Sequence, residues 1–90
     1  MVKTIIFDNR SFRWSDNYEV NRMLIECTTQ WLYDLFNVRG YMYLNDIYER
    51  FGVVWDPHEL NECFIKGSNE FTLSWECLKD NVFRINVYPV

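Results

Sequence analysis

Residues 71–88 read FTLSWECLKDNVFRINVY. Phe71, Leu73, Trp75 and Cys77 alternate with Thr72, Ser74 and Glu76; Phe83, Ile85 and Val87 alternate with Arg84, Asn86 and Tyr88. A period of two puts the apolar side chains of a strand on one face, so each run reads as a half-buried strand. Lys79-Asp80-Asn81 turns the chain between them, which makes residues 71–88 a β-hairpin. A hairpin with one apolar face is not stable alone; something must cover that face.

The middle of the chain supplies the cover. Val20, Leu24, Cys27, Trp31 and Leu35 recur at spacings of four, three, four and four, with Ile25, Leu32 and Phe36 widening the stripe. This predicts an amphipathic helix with a broad apolar face, running to about Phe36. Ser15 and Asp16 are both good N-caps, and Glu19, three after Asp16, completes a capping box. Gly40 is available for a left-handed C-cap. Tyr41-Met42-Tyr43 is a brief extended or turn segment. Leu44, Ile47, Tyr48 and Phe51 then fall at helical spacing and Gly52 stops them. Asp56-Pro57-His58-Glu59 is a second start signal, with Asp56 as N-cap and Pro57 at N1, and Leu60, Cys63 and Phe64 as the buried face of a further short helix. Lys66-Gly67-Ser68-Asn69 reads as a loop.

At the other end, Val2 to Phe7 is β-branched and aromatic, Asp8-Asn9-Arg10-Ser11 is a cluster of turn formers, and Phe12-Arg13-Trp14 resumes alternation. That predicts an N-terminal hairpin. The expected order is β-β-α-α-α-β-β. The fold class is α+β, in two layers: an antiparallel sheet from the two terminal hairpins, packed against one long and two short helices. At 90 residues the chain, residues 1–90, makes a single domain, since half of it would be too small to bury a core.

Composition fits that picture. Hydrophobic residues are 49% and charged residues 24%, with three Gly and two Pro, which excludes disordered and collagen-like classes. There is no alanine, and four Trp, six Tyr and seven Phe fill a small core with few residues. No apolar run approaches the roughly 20 residues of a membrane span. No long apolar stretch follows Lys3, so a secretory signal is not expected. The net charge of −4 disfavours nucleic acid and anionic membranes as partners. Cys27, Cys63 and Cys77 are an odd number without a Cys-x-x-Cys, which reads as reduced thiols in a cytoplasm acting as small core hydrophobes.

No constellation of catalytic type emerges. As a metal ligand the lone His58 would pair with Glu62 or Cys63, with no third ligand visible, and nothing in the local sequence supports a catalytic dyad with Cys27 or Cys77. Asp56, Glu59 and Glu62 form an acidic row along one helical side. There is no Gly-rich phosphate loop and no nucleophile elbow. The expectation is therefore no catalytic, cofactor-binding or metal-binding residue, and not an enzyme. A long helix, two short helices and a hairpin mimic a winged helix, which gives a nucleic-acid-binding regulator as the alternative. Its third helix, however, would present Asp56, Glu59 and Glu62 to phosphates, with Asn61 as the one base reader.

Two groups of residues suggest recognition of a protein. Tyr41 and Tyr43, with Trp55, are rings outside any regular stripe; they read first as plugs for the gaps where short helices meet the sheet, and otherwise as a binding patch, since periodicity does not force burial there. Arg13 and Arg84, with Tyr88 and Thr72, are expected on the outer face of the sheet as a small mixed patch. Pairing of two copies along a free strand edge is a further possibility.

Arg39-Gly40-Tyr41-Met42-Tyr43-Leu44-Asn45-Asp46-Ile47-Tyr48-Glu49-Arg50-Phe51-Gly52-Val53 resembles a segment of a group of small uncharacterised proteins encoded by bacteriophages and prophages, mainly of Firmicutes. The shared pattern is Gly, an aromatic or apolar segment, then Leu-Asn-x-(Ile/Val)-Tyr-x-x-(Leu/Phe)-Gly. The likeness runs from about Phe12 to Val87, with only this core specific. It implies a phage-encoded protein in a bacterial cytoplasm and transfers no catalytic or binding residue. The function expected is an interaction or accessory protein that binds a host or phage protein.

Overall fold

The computed structural model describes residues 2–55 and 62–89. Among these residues, five strands and two helices follow one another as β1 (Lys3–Phe7), α1 (Tyr18–Arg39), β2 (Tyr41–Tyr43), α2 (Leu44–Arg50), β3 (Cys63–Ile65), β4 (Phe71–Lys79) and β5 (Val82–Pro89). The class is α+β with antiparallel sheets. The order differs from the expected one, and the differences have identifiable causes.

The C-terminal hairpin forms as its alternation requires. Trp75 pairs with Ile85 and Leu73 with Val87. Asp80 and Asn81 both have positive φ, 52° and 64°, which is the two-residue turn whose twist matches the flanking strands. Leu78 is the extra residue of a bulge between Cys77 and Lys79.

The predicted N-terminal hairpin does not form. β1 pairs instead with β5, Ile5 opposite Ile85 and Phe7 opposite Phe83, so β5 is central in a sheet ordered β1-β5-β4. Three residues, Phe12–Trp14, are too few to compete with that ladder. The Ser11 hydroxyl donates to the Phe51 carbonyl at 2.7 Å and accepts from the Arg13 amide, and the Trp14 indole donates to the Asn81 carbonyl at 2.8 Å. Consecutive turns replace the strand.

α1 begins one residue later than the expected caps allow. Asn17 is the N-cap, its Oδ1 accepting from the amides of Glu19 and Val20. Gly40 ends the helix at φ 83°, its amide donating to Phe36 at 2.7 Å. The buried side chains are Asn21, Ile25, Thr28, Leu32 and Phe36. This is the flank of the expected stripe rather than its centre. Val20, Cys27 and Trp31 lie exposed. Cys77 is exposed as well, so two of the three thiols are not the core hydrophobes expected. Asn21 can be buried because its amide is satisfied. It donates to the Ser15 carbonyl at 2.7 Å and to Asn81 Oδ1 at 3.0 Å, and it accepts from the Ser15 amide at 2.9 Å.

Phe36 and Tyr33 meet Phe71, Tyr18 stacks on Phe83, and the Tyr33 hydroxyl accepts from the Leu73 amide at 2.7 Å, so α1 covers the inner sheet face. α2 buries Leu44 and Ile47, and Phe51 just after it reaches Phe7 in the same core. The third predicted helix is corrected in part. Cys63 and Phe64 belong to β3, which pairs antiparallel with β2 in a second, two-stranded sheet; with Phe64 and the β-branched Ile65 opposite Tyr41–Tyr43, the segment satisfies its backbone across the ladder rather than along a helix. Asp56 to Asn61, His58 included, lie outside the described residues.

Candidate functional site

The two-stranded sheet has one face in the core and one in solvent. Met42 and Phe64, directly opposite each other, are buried. By alternation Tyr41, Tyr43 and Ile65 point the other way, and they are 41%, 47% and 49% exposed. Tyr41 sits across from Ile65, and its ring meets that of Tyr43 edge to face at 5.8 Å. Three large apolar side chains thus stand together on one outward face.

Arg39 joins this face to the rest of the molecule. As the last residue of α1 it folds back over β2. Its guanidinium lies 4.2 Å from the centre of the Tyr41 ring, its Nε donates to the Tyr41 carbonyl at 3.1 Å, and it is 3.0 Å from the Asp46 carboxylate. Beyond Arg39 a cleft of about 300 Å³ opens between α1 and α2, with Trp31, Arg50 and Arg13 in its wall. The Arg50 guanidinium lies 3.9 Å from the centre of the Trp31 ring. Trp31, 42% exposed, continues into the exposed side chains Cys27, Met23 and Val20 along α1.

The residues expected to bind a partner are therefore redistributed. Tyr41 and Tyr43 come together in the open. Trp55 does not join them; it is half-buried against the core and borders a depression shared with Phe12, Gly52 and Val54. Arg84 and Tyr88 do lie on the outer face of the three-stranded sheet, Arg84 paired with Glu76 and Tyr88 opposite Thr72. Arg13 is not there. With no N-terminal hairpin to carry it, its stem passes over Gly52 and its guanidinium lies 5.2 Å from the Phe12 ring. Trp31 and Arg50 carry no mark of a surface site in the sequence. The only available signal was the second apolar row on α1, which reads as core until Asn21 and Thr28 are known to be buried.

Two surface ion pairs shift pKa values. The Arg10 guanidinium, hydrogen-bonded to Asp8, holds that carboxyl below its usual range, and Arg10 is raised in turn. Arg22 is raised by its hydrogen bond to Glu19 and by the charges of Glu19 and Glu26. These pairs lie outside the Tyr41–Arg39–Trp31 surface. A groove of about 310 Å³ runs beside β1, bordered by Ile6, Tyr48, Val53 and Val54. Among the described residues, no group of three or more His, Cys, Asp or Glu side chains could hold a metal ion, and no helix is long and apolar enough to cross a membrane. Compared with known proteins, the chain matches no family model, no curated protein and no solved structure.

Proposed function

We propose that this is a phage-encoded interaction or accessory domain, without catalytic activity of its own, that binds a host or phage protein in the bacterial cytoplasm. The resemblance of residues 39–53 supports the origin. The single observation that carries the function is the outward face of Tyr41, Tyr43 and Ile65, continued through Arg39 to the stacked Trp31 and Arg50. Tyr, Trp and Arg are the residue types that dominate binding energy at protein interfaces, and flat rings supply contact area at low entropic cost. A core role for the two tyrosines is disfavoured by their exposure and by the burial of Met42 between them. The alternative of a nucleic-acid-binding regulator is weakened by the net charge of −4, and by Asp46 and Glu49 beside the arginines of the cleft.

The test is affinity capture from the bacterium that carries the gene, with the wild-type chain and a Tyr41→Ser/Tyr43→Ser variant. A protein retained by the wild type and lost from the variant, with melting temperatures equal, is the expected result. Equal retention by both, or a collapse in melting temperature, removes this face from the function.

A further inference from the structure

The cleft between α1 and α2 carries an unusual balance of charge. Arg13, Arg39 and Arg50 face Asp46 and Glu49 around one opening, a local excess of one positive charge on a chain of net −4. The three guanidinium groups are not equally engaged. Arg39 is committed to Asp46 and to the Tyr41 ring. The Arg50 guanidinium lies over the Trp31 ring, 3.9 Å from its centre, and among the described residues it has no carboxylate partner. Stacking uses the face of a guanidinium and leaves the in-plane N–H donors of its fork unspent. Arg13 goes further: its Nε is shut off from solvent and has no acceptor among the described residues. A carboxylate entering the cleft cannot reach that nitrogen, so what Arg13 offers it is the terminal nitrogens of its guanidinium.

From this we infer that the cleft receives one carboxylate of a partner's peptide segment, accepted by Arg50 and Arg13 beside the Trp31 ring. The inference rests on the interaction reading above and adds the chemistry of the partner. One excess positive charge matches one carboxylate, whose two oxygens fit the fork of a guanidinium. A phosphate dianion, or a strand of phosphates, would meet Asp46 and Glu49 on the same wall. Leu35 and Trp31 offer an apolar wall for the methylene stem of an acidic side chain. Next to them, the exposed Cys27, Met23 and Val20 of α1 suit apolar residues flanking it. The preferred ligand is thus a single acidic residue within an otherwise apolar segment.

The test follows the arginine Nε–H signals by nitrogen-edited NMR at constant ionic strength. The probes are the tripeptide N-acetyl-Leu-Glu-Leu-amide, its glutamine counterpart and inorganic phosphate. The expected result is a saturable shift of the Arg50 and Arg13 signals with the glutamate peptide, at least about tenfold weaker with the glutamine peptide. Arg50→Gln abolishes the response, and Arg50→Lys, which keeps the charge without the fork, weakens it. Glu49→Gln, which removes a competing carboxylate, strengthens it. Equal response to both peptides, a stronger response to phosphate, or no response overturns the inference. A failure here alongside capture that still depends on Tyr41 and Tyr43 sinks the carboxylate assignment alone. A specific response here without any captured protein leaves the cleft assignment standing and sinks the wider interaction reading.

Discussion

The described residues form two antiparallel sheets, each with one face in the core and one in solvent, and the two solvent faces are built differently. On the three-stranded sheet the outward residues satisfy one another. The Thr4 hydroxyl donates to Asn86 Oδ1 at 3.1 Å, Arg84 pairs with Glu76, and Tyr88 faces Thr72 across the ladder. On the two-stranded sheet the outward residues are Tyr41, Tyr43 and Ile65, which remain about half exposed, with the Arg39 guanidinium lying over the Tyr41 ring. Alternation decides which residues of a strand face the core. It says nothing about whether the other face is idle; that depends on which side chains occupy the outward positions.

The largest effects belong to the inner faces, where the two sheets should behave alike. Phe64→Ala and Phe83→Ala each remove a buried ring and should cost about 3–5 kcal/mol, read from denaturant midpoints. If Phe64→Ala were nearly free while Phe83→Ala were not, the small sheet would be a loosely attached flap, and its outward rings would lack a rigid base.

A smaller loss is expected at Gly52, which ties the cleft to the core. Its φ is 71°, and a Cβ there would lie 2.7 Å from Ser11 Oγ and 3.2 Å from Arg13 Cγ. Ser11 is fixed by its buried hydrogen bond to Phe51, so the neighbour cannot give way cheaply. Gly52→Ala should cost about 1–3 kcal/mol. It should also displace Arg13 and weaken the glutamate peptide. A stable variant with an unchanged cleft would show that the turn can relax.

The same contrast explains how much could be read from the sequence. The β4–β5 hairpin was legible because two runs of period two flank a turn of Asp80 and Asn81; the bulge at Leu78, which keeps Lys79 in β4, and the exposure of Cys77 were not. The existence of α1 and its Gly40 cap were legible too. Its rotation was not. Val20, Leu24, Cys27, Trp31 and Leu35 make as good a stripe as the one that is buried, and the deciding residue is polar. Asn21 is affordable in the core only because Ser15 and Asn81 answer it, and Asn81 is far away in the chain. β2 and β3 are three residues each and far apart in the chain, Tyr41–Tyr43 and Cys63–Ile65, so no local pattern announces their pairing. The face of Tyr41 and Tyr43 was visible as a density of rings. Its extension through Arg39 to Trp31 and Arg50 depends on how α1 and α2 meet.

The outward rings should then separate stability from binding. Tyr41→Ser and Tyr43→Ser remove exposed contacts and should each change stability by about 0.5 kcal/mol or less, while the captured protein is lost. Thermal melts run beside the capture experiment check both halves of that statement. A large loss of stability would put the two tyrosines on the structural side of the comparison, with Met42 and Phe64.

The smallest effects are expected on the outward face of the three-stranded sheet. Glu76→Gln breaks the pair with Arg84, whose two side chains are both about half exposed. An exposed pair of this kind gains little, because water screens the charges and two long side chains must be held in place. The variant should lose less than about 1 kcal/mol, and the difference should shrink further in high salt. It should also leave partner capture intact. Arg84 freed by this substitution is a sharper probe than Arg84 removed, because it exposes a guanidinium on a surface that already has Tyr88. If freeing it strengthened capture, the polar sheet face would be a second contact surface, and the division between an idle face and a working one would fail.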